Sequence, residues 1–566
     1  MNILLLNRPL TKKRTGEKIL NWLTGIVSGS VILFFVYYVF IYSVNFPFQD
    51  DNSFLKAIAE VQKGLGWKHN LLVFFQAEND HRIFVPRLIA YLDYLAFGYL
   101  HFKSYISIAS INLIIIAGFI YGLFRQFKLP LYYFLPVPLL IFQPQYHEVT
   151  IWALTGLQHI TLLLILCICL KLLKKPSPGK VTLAIVLAML ATFTHGNGIL
   201  VFATGGFLLL IERNYKVLLP WVLFTLLTLV FYIFDYTPGS GVKSSINWAH
   251  MPVAFVAKIG ATPSVWSPGS TGGSILWGTI ISLVMIPTLL IAFYNSFKAG
   301  KTSSSANTEL LSFFCFIFLT ILLITIFRSS SQILLEIRFK IYAALSSVFF
   351  YLFLLTKSGR FRPITLAIAT VLSVVFYISS YTVYTPEVVN KYTRLAADTY
   401  NWPKHQKELS NYNAIDASLP YLLPAYHQGF WRIPNLFAGF DEMVQTALQQ
   451  KSFKPATLRT EHIMHGGDLP QLLVEMKEAP LRRQHLRDDL FLVLHDERQQ
   501  KTYLAGTQPK FAGWRRFITT GSFFGPDFST VLPLQVVPQG QYRLGCLLKD
   551  ADNNLELIMT QENITL

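Results

Sequence analysis

The sequence predicts a multispan α-helical membrane protein with a β-rich domain after its last span, and three observations lead to this fold class. Hydrophobic residues make up 52% of the 566 positions and charged residues only 14%, whereas soluble domains carry about 25% charged residues. Apolar runs of about 20 residues recur, and each is long enough to cross a hydrocarbon core about 30 Å thick. After residue 452 apolar residues instead alternate with polar ones, as they do in half-buried strands.

The apolar runs predict about eleven membrane spans. The third run is short and marked by prolines. The approximate positions are 19–43, 105–124, 131–142, a fourth that ends near Lys171, 181–193, a sixth that ends near Arg213, 217–234, 275–294, 310–327, a tenth that ends near Lys357, and 364–382.

The distribution of lysine and arginine predicts the orientation in the membrane. The segment before the first span is basic, and most other basic residues of the transmembrane region fall in alternate short loops. The positive-inside rule therefore predicts a cytoplasmic N-terminus, and an odd number of spans places the C-terminal region outside. The same pattern explains much of the net charge of +17, so we expect no nucleic-acid partner.

The loop after the first span, residues 45–103, is too long for a simple connection, and such loops are often functional. Within it, segments 54–61 and 83–100 have apolar residues at helical spacing. We expect these two helices to lie in the membrane interface. A re-entrant or interfacial helix is also expected near residues 253–259, inside a Gly-, Ser-, Pro- and Trp-rich outer segment.

Three regions follow from these patterns: a transmembrane region over residues 1–383, a helical and irregular connector over 384–451, and a β-sandwich-like domain over 452–566. Within the last region, strands are expected at 490–494, 516–520, 531–537 and 542–548, with turn-forming residues between them. A sandwich of about 100 residues fits this spacing. The four cysteines show neither a disulfide framework nor metal-site spacing.

Polar residues that interrupt the apolar pattern all fall on the predicted outer side. Ionisable groups near membrane depth are costly and therefore indicate function. These polar positions are Asp50 and Asp51; Glu78, His81, Arg82 and Arg87; His147 and Glu148; His195 and Asn197; and Arg328, Glu336, Arg338 and Lys340.

Together these motifs resemble the GT-C superfamily of integral-membrane glycosyltransferases, which use sugars linked to polyprenyl phosphate. The resemblance covers roughly residues 19–383 and leaves the C-terminal region aside. In the last outer loop, Arg338-Phe339 resembles an Arg-Tyr motif of the family, with Phe in place of Tyr. The motifs that carry it are Asp50-Asp51, Asn79-Asp-His-Arg-Ile83 with Pro86-Arg87, Gln145-Tyr-His-Glu148 with Trp152 and Gln158, His195-Gly-Asn-Gly198 and Arg338-Phe339.

The resemblance implies that an acidic residue of the first outer loop acts at the sugar-transfer centre. Inverting transfer needs a base for the acceptor hydroxyl, and a carboxylate beside a second carboxylate has a raised proton affinity. Asp50 or Asp51 is therefore the expected base, and which of them takes the proton stays open. The structural alternative is that Asp51 or Asn52 caps the helix that begins near Ser53.

The leaving phosphate calls for cations, because guanidinium groups bind phosphate in a bidentate way and lysine binds it as a point charge. Arg82, Arg328, Arg338 and Lys340 are the candidates, and interfacial charges that snorkel are the structural alternative. A divalent metal ion stays open, although adjacent ligands give no metal spacing. The expected substrate-binding residues are Glu78, His81, Arg87, His147, Glu148, Trp152, Gln158, His195 and Asn197.

The expected function is therefore transfer of a sugar from a polyprenyl-phosphate donor to a glycan, lipid or protein acceptor, as a step of cell-envelope glycan biosynthesis. The expected location is the bacterial inner membrane, with the C-terminal domain in the periplasm. Two alternatives remain. A lipid-linked-sugar flippase or transporter would carry ionisable groups or broken helices near mid-bilayer, and a non-catalytic envelope assembly protein would not need the aspartate pair.

Overall fold

The computed structural model describes residues 10–78, 81–234, 247–298, 305–328, 334–410, 415–451, 453–465 and 469–566. Sequence motif positions Asn79 and Asp80 lie outside these ranges, as does part of the segment expected to hold the re-entrant helix. The helices of the membrane region are α1 (Leu10–Ile41), α2 (Asn52–Gln62), α3 (Trp67–Phe75), α4 (Phe84–Phe97), α5 (Phe102–Arg125), α6 (Pro136–Ile141), α7 (His147–Thr150), α8 (Ala153–Lys174), α9 (Pro178–Thr192), α10 (Leu200–Ile211), α11 (Tyr215–Ile233), α12 (Met251–Ile259), α13 (Gly272–Ser296), α14 (Ser305–Phe327), α15 (Lys340–Lys357) and α16 (Arg362–His405).

Eight helices among the described residues are long and apolar enough to cross a membrane, namely α1, α5, α8, α11, α13, α14, α15 and α16. The expected count of about eleven is not confirmed, because three expected spans form short helices. Residues 131–142 contain the six-residue α6, and α9 and α10 have 15 and 12 residues. At 1.5 Å per residue these helices are about 9, 22 and 18 Å long, below the roughly 30 Å of a hydrocarbon core.

Burial divides the membrane helices into a centre and a periphery. In the most apolar 18-residue stretch of α8 and of α15, 83% of the residues are buried, whereas only 11% are buried in the corresponding stretch of α11. Helix α8 is therefore apolar on all sides because other helices surround it, and α11 is apolar because it faces lipid. The two central helices also carry polar residues of the site at their N-terminal ends.

Polar contacts form at both ends of the bundle, but they differ in kind. At the end where α5 and α8 finish, Lys174 forms an ion pair with Glu309, and Gln126 Nε2 donates a hydrogen bond to Glu309 at 3.0 Å. This closed cluster holds the ends of α5, α8 and α14 together. The sequence-predicted site residues lie at the opposite end, which is the side of the β domain.

The last membrane helix is longer than expected. The sequence predicts a span over 364–382, yet α16 continues without a break to His405, across the expected regional boundary at residue 383. Its 44 residues span about 66 Å, twice the thickness of the hydrocarbon core. The second half of α16 therefore rises out of the bundle and packs on the β domain.

The C-terminal region is built mainly from β strands and follows the short outer-loop hairpin β1 (Ala77–Glu78) and β2 (His81–Arg82). Its elements are α17 (Ile415–His427), α18 (Phe440–Gln450), β3 (Thr457–His465), β4 (Leu469–Lys477), β5 (Asp489–Asp496), β6 (Lys501–Gly506), β7 (Gln508–Phe511), α19 (Trp514–Thr520), β8 (Phe524–Pro533), β9 (Gln541–Lys549) and β10 (Leu555–Thr565). The strands form two four-stranded antiparallel sheets with the orders β10-β9-β5-β6 and β3-β4-β8-β7.

The expected strands of this region are confirmed in part. Those at 490–494 and 542–548 lie within β5 and β9, and the one at 531–537 only partly overlaps β8. The expected strand at 516–520 is wrong, because these residues belong to helix α19.

One sheet is buried on both faces. Every residue of β5 is buried, because one face of its sheet packs on the second sheet and the other on α16 and α18. Asn401 of α16 fixes this packing: its side chain donates to the Leu504 carbonyl at 2.8 Å and accepts from the Leu504 N–H at 2.9 Å. The β domain is thus held against the helix that continues from the membrane.

Candidate functional site

Three histidines from distant parts of the chain form one row. The ring centroid of His195 lies 4.4 Å from that of His81 and 4.5 Å from that of His159. Burial, together with the two neighbouring rings, lowers the pKa of His195 well below its ordinary value. His195 is therefore neutral at neutral pH. Its Nδ1 donates to the Asn197 side-chain oxygen, which leaves Nε2 as an acceptor for a hydroxyl group.

A hydrogen-bonded chain fixes this row. His195 Nδ1 lies 2.6 Å from Asn197 Oδ1, and Asn197 Nδ2 donates to Tyr342 Oη at 3.1 Å. The same Tyr342 oxygen lies 2.9 Å from His159 Nδ1. Because Tyr342 is on α15 and His159 is on α8, the chain connects the two central helices at the β-domain end.

The glycines on either side of Asn197 are required by close packing. A Cβ atom at Gly196 would lie 2.6 Å from His81 Nδ1, and one at Gly198 would overlap the Ala191 carbonyl oxygen. The segment between α9 and α10 therefore approaches both a functional side chain and the end of its own helix. The segment is a tight turn that places His195 and Asn197 beside His81.

Two arginines share one carboxylate beside the histidine row. Arg338 donates to Glu336 Oε2 through Nη2 at 2.8 Å, and Arg328 Nη1 lies 3.2 Å from Glu336 Oε1. Lys258 Nζ is nearby and donates to the Leu334 carbonyl at 2.5 Å, and burial lowers its pKa to about 8. Three basic side chains thus surround a single carboxylate, and the excess positive charge suits an anion such as phosphate.

The aspartate pair lies at the start of α8. Asp51 is buried, and its Oδ1 accepts from the Leu154 N–H at 2.7 Å while its Oδ2 accepts from the Phe48 N–H at 3.0 Å. Asp51 therefore caps α8 rather than the helix that begins near Ser53, which is a different structural role from the cap considered in the sequence. Burial raises its pKa to about 7, and the two N–H donors oppose the rise. Asp50 beside it is only half-buried.

The backbone that carries the pair is strained. Gln49 immediately precedes Asp50 and adopts φ +45°. This left-handed conformation costs a non-glycine residue roughly 1–2 kcal/mol. Such strain persists where surrounding contacts enforce it, and it concentrates at functional sites.

Lys391 completes the acidic corner and was missed in the sequence. Its ammonium group lies 4.3 Å from the ring centroid of Phe48 and 4.6 Å from that of Trp152, and it interacts electrostatically with Glu148 and Asp51. Its Nζ has no hydrogen-bond partner within the described part of the chain. A pocket lined by Lys391 and Asp51 has room for about one water molecule.

The same face of α16 carries two more polar residues of the site. Lys340 donates to Tyr384 Oη at 2.9 Å, and Glu387 interacts electrostatically with both Lys340 and Glu148. With Lys391 these residues occupy positions 384, 387 and 391, a spacing that aligns residues on one side of a helix. The sequence signal for Tyr384, Glu387 and Lys391 is this helical spacing of polar residues, which continues beyond the end of the expected span at residue 382.

His147 is enclosed by these cations. Burial, with the positive charges of Lys391 and Lys340, lowers the pKa of His147 to about 3, so the imidazole is neutral. Its Nδ1 and the Nε1 of Trp152 lack a hydrogen-bond partner among the residues described. Gln158 is also buried, on the first turns of α8. His147, Trp152 and Gln158 therefore line the interior of the bundle at its β-domain end, where the other sequence-predicted site residues lie.

The structure gives two predicted site arginines other roles in this conformation. Arg82 donates to three backbone carbonyls, those of Tyr232 at 3.1 Å, Phe75 at 2.6 Å and Phe234 at 2.6 Å. Its guanidinium thereby connects the first outer loop to the end of α11, and it does not join the Arg328–Arg338 pair. In this structure Arg82 therefore holds the scaffold together, and its expected role in phosphate binding stays a prediction.

Arg87 and Glu78 also stabilise the first outer loop. The buried Arg87 guanidinium donates to Glu78 Oε2 at 2.8 Å, to the Val73 carbonyl at 3.1 Å and to the Gln76 carbonyl at 2.5 Å. These bonds fix the turn between α3 and α4. In this structure the pair positions the hairpin that carries His81, and its expected role in substrate binding stays a prediction.

The described residues contain no group of three or more His, Cys, Asp or Glu side chains arranged to hold a metal ion. The histidine row is hydrogen-bonded through Asn197 and Tyr342 instead. Comparison of the chain with protein-family models, with curated proteins and with solved structures finds no match.

Proposed function

We propose that this protein transfers a sugar from a polyprenyl-phosphate donor to a glycan, lipid or protein acceptor. The observation that carries the proposal is the presence, at one end of the membrane bundle, of an acidic corner, a neutral hydrogen-bonding row and an arginine pair with excess positive charge. Inverting transfer needs these three chemical elements: a base, groups that bind sugar hydroxyls and a cation for phosphate.

The reaction can be assigned to these residues. Asp50 takes the proton from the acceptor hydroxyl, and Asp51 holds the strained turn against α8. The acceptor oxygen then bonds to the anomeric carbon, and the bond from that carbon to the phosphate oxygen breaks with its electron pair on the phosphate. Arg338 and Arg328 stabilise the polyprenyl phosphate that leaves, and His195 and Asn197 orient the sugar.

The positions of the charges favour an enzyme over a transporter. The two clusters lie at helix ends on the β-domain side, whereas a transporter binds its substrate near the bilayer midplane. A donor with a polyprenyl chain reaches such a site laterally from the membrane. We place the protein in the bacterial inner membrane, with its N-terminus in the cytoplasm and the β domain in the periplasm, where it contributes to glycan biosynthesis of the cell envelope.

The test uses the full chain in lipid vesicles with radiolabelled polyprenyl-phosphate sugars and added acceptor lipids, glycans or envelope proteins. We expect labelled product and release of polyprenyl phosphate in equal amounts. Arg338→Gln should lose most activity, whereas Arg360→Gln, a matched change of an exposed arginine near the start of α16, should not. Movement of label across the vesicle wall without product would indicate a transporter, and neither signal with any donor would favour an assembly protein.

A further inference from the structure

Helix α19 projects from the β domain with an unusual surface. It lies in the connection between β7 and β8, and all seven of its residues are exposed. Three of these are large and apolar, with exposed fractions of 46% for Trp514, 36% for Phe517 and 78% for Ile518. Arg515 and Arg516 lie between them in sequence. Trp514 and Phe517 contact the aromatic rings of Phe511 and Phe523, yet both side chains stay exposed.

The base of this projection reaches the membrane helices. Phe524 is buried and belongs to the same apolar core as α1 and α5, and Phe523 packs against that core. Within the projection, the ring of Phe523 lies 5.0 Å from that of Phe511 and 5.8 Å from that of Phe517. A continuous aromatic cluster therefore connects α19 to the bundle.

The neighbouring loop of the β domain lies at the outer ends of the membrane helices. Tyr42, just after α1, donates to the Leu486 carbonyl at 2.6 Å, and Arg487 interacts electrostatically with Lys103 at the start of α5. The ammonium group of Lys103 lies 3.8 Å from the ring centroid of Phe40, an exposed residue at the end of the lipid-facing stripe of α1. The β domain thus contacts the bundle where its lipid-facing surface ends.

We infer that α19 is a membrane anchor, which inserts Trp514, Phe517 and Ile518 into the lipid headgroup region while Arg515 and Arg516 bind anionic lipid phosphates. Tryptophan and phenylalanine favour this interface, and arginine can keep its charged end among the headgroups. Each basic residue near an anionic lipid surface adds electrostatic attraction to it. The occupant is a lipid surface because the projection joins the bundle through Phe524, and the adjacent loop contacts α1 and α5 where their lipid-facing surfaces end.

This anchor has a consequence for the β domain, and it is independent of the chemistry proposed for the site. The domain is held by α16 and by the contacts of Leu486 and Phe524 with the bundle, and a contact of α19 with lipid adds an attachment to the membrane surface itself. That attachment limits tilting of the domain relative to the membrane surface.

The experiment places an environment-sensitive fluorophore on α19. The four native cysteines are all buried, so Ile518→Cys can be labelled selectively in the folded full chain. Met464→Cys is the matched control, because Met464 is an apolar residue with an exposed fraction of 62% on β3, at the opposite edge of the same sheet from β7. Both labelled proteins are reconstituted in phosphatidylcholine and phosphatidylglycerol vesicles that contain a lipid with a quencher near its headgroup.

We expect quenching at position 518 to be roughly twofold or more that at position 464. Replacement of Arg515 and Arg516 by glutamine should reduce quenching at position 518 when phosphatidylglycerol is present. Equal quenching at the two labelled positions would overturn the anchor. Undiminished quenching in the double glutamine variant would overturn the role given to the two arginines. Unchanged thermal unfolding of each variant excludes a folding defect.

Discussion

The contact between Gly196 and His81 allows a sharp test of how the site is built. In Gly196→Ala the new Cβ would lie 2.6 Å from His81 Nδ1 and 3.0 Å from Cε1, whereas relaxed contacts between such atoms are about 3.5 Å. The His81 ring must therefore shift by nearly 1 Å away from this position. Overpacking of this kind costs about 1–3 kcal/mol. Because the unfolding entropy grows with chain length, we expect the unfolding temperature of this 566-residue chain to fall by roughly 1–3 °C.

The native cysteines provide the assay. Cys167, Cys169 and Cys315 are buried in membrane helices, so a thiol-reactive dye reports unfolding of the bundle on heating, and Cys546→Ser removes the signal of the β domain. In a His81→Ala background the obstructing ring is absent, and we expect Gly196→Ala to cost nothing further. The matched control is Gly118→Ala on α5, where a Cβ would meet nothing within 4 Å. An equal cost of Gly196→Ala in both backgrounds would refute the proposed contact.

Three further outcomes follow from the structure. Burial raises the pKa of Asp51 to about 7, above its unfolded value of about 3.9, so the contribution of Asp51 to stability is complete below about pH 4 and is lost as the pH rises through 7. The unfolding temperature should therefore fall more between pH 5 and pH 8 in the native protein than in Asp51→Asn. An equal fall in the two proteins would contradict this expectation. Lys391→Met removes the cation beside Asp51, and its destabilisation, measured with the same dye, should be larger at pH 8 than at pH 5; the same loss at both values would count against the pairing. A Cβ at Gly506 would overlap the backbone nitrogen of Arg394, so Gly506→Ala should expose the α16–β6 contact to proteolysis. Gly525→Ala on β8, where a Cβ would lie 3.6 Å from its nearest neighbour, gives no comparable change. An unaltered digestion pattern for Gly506→Ala would argue against tight docking.

The expectations that held depend on local pattern. Helices α2 and α4 of the first outer loop follow apolar residues at helical spacing, and α12 (Met251–Ile259) contains the interfacial segment expected at 253–259. The apolar runs of β5 and β9 likewise indicated strands. In each case the signal lies within the element, so no knowledge of its neighbours was needed.

The features that the sequence did not predict depend on contacts with residues distant in sequence. Arg82 has the side chain of a phosphate ligand, but the carbonyls of Tyr232 and Phe234, 150 and 152 residues away, occupy its guanidinium. Residues 516–520 include β-branched and aromatic side chains that favour strands, yet they form α19 in a projection without a neighbouring strand. Lys391 falls in the expected connector region because the hydrophobic run ends near residue 382, whereas α16 continues to His405.

The most direct test of the central proposal is the rate of sugar transfer by Asp50→Asn, measured with radiolabelled polyprenyl-phosphate donor in vesicles at matched protein amount. Asp552→Asn, a change of an exposed carboxylate in the β domain, is the control. We expect Asp50→Asn to transfer roughly 10²- to 10⁴-fold more slowly, the contribution of a general base, while its unfolding temperature is unchanged. Transfer by Asp50→Asn within a few fold of the native rate would contradict its assignment as the base.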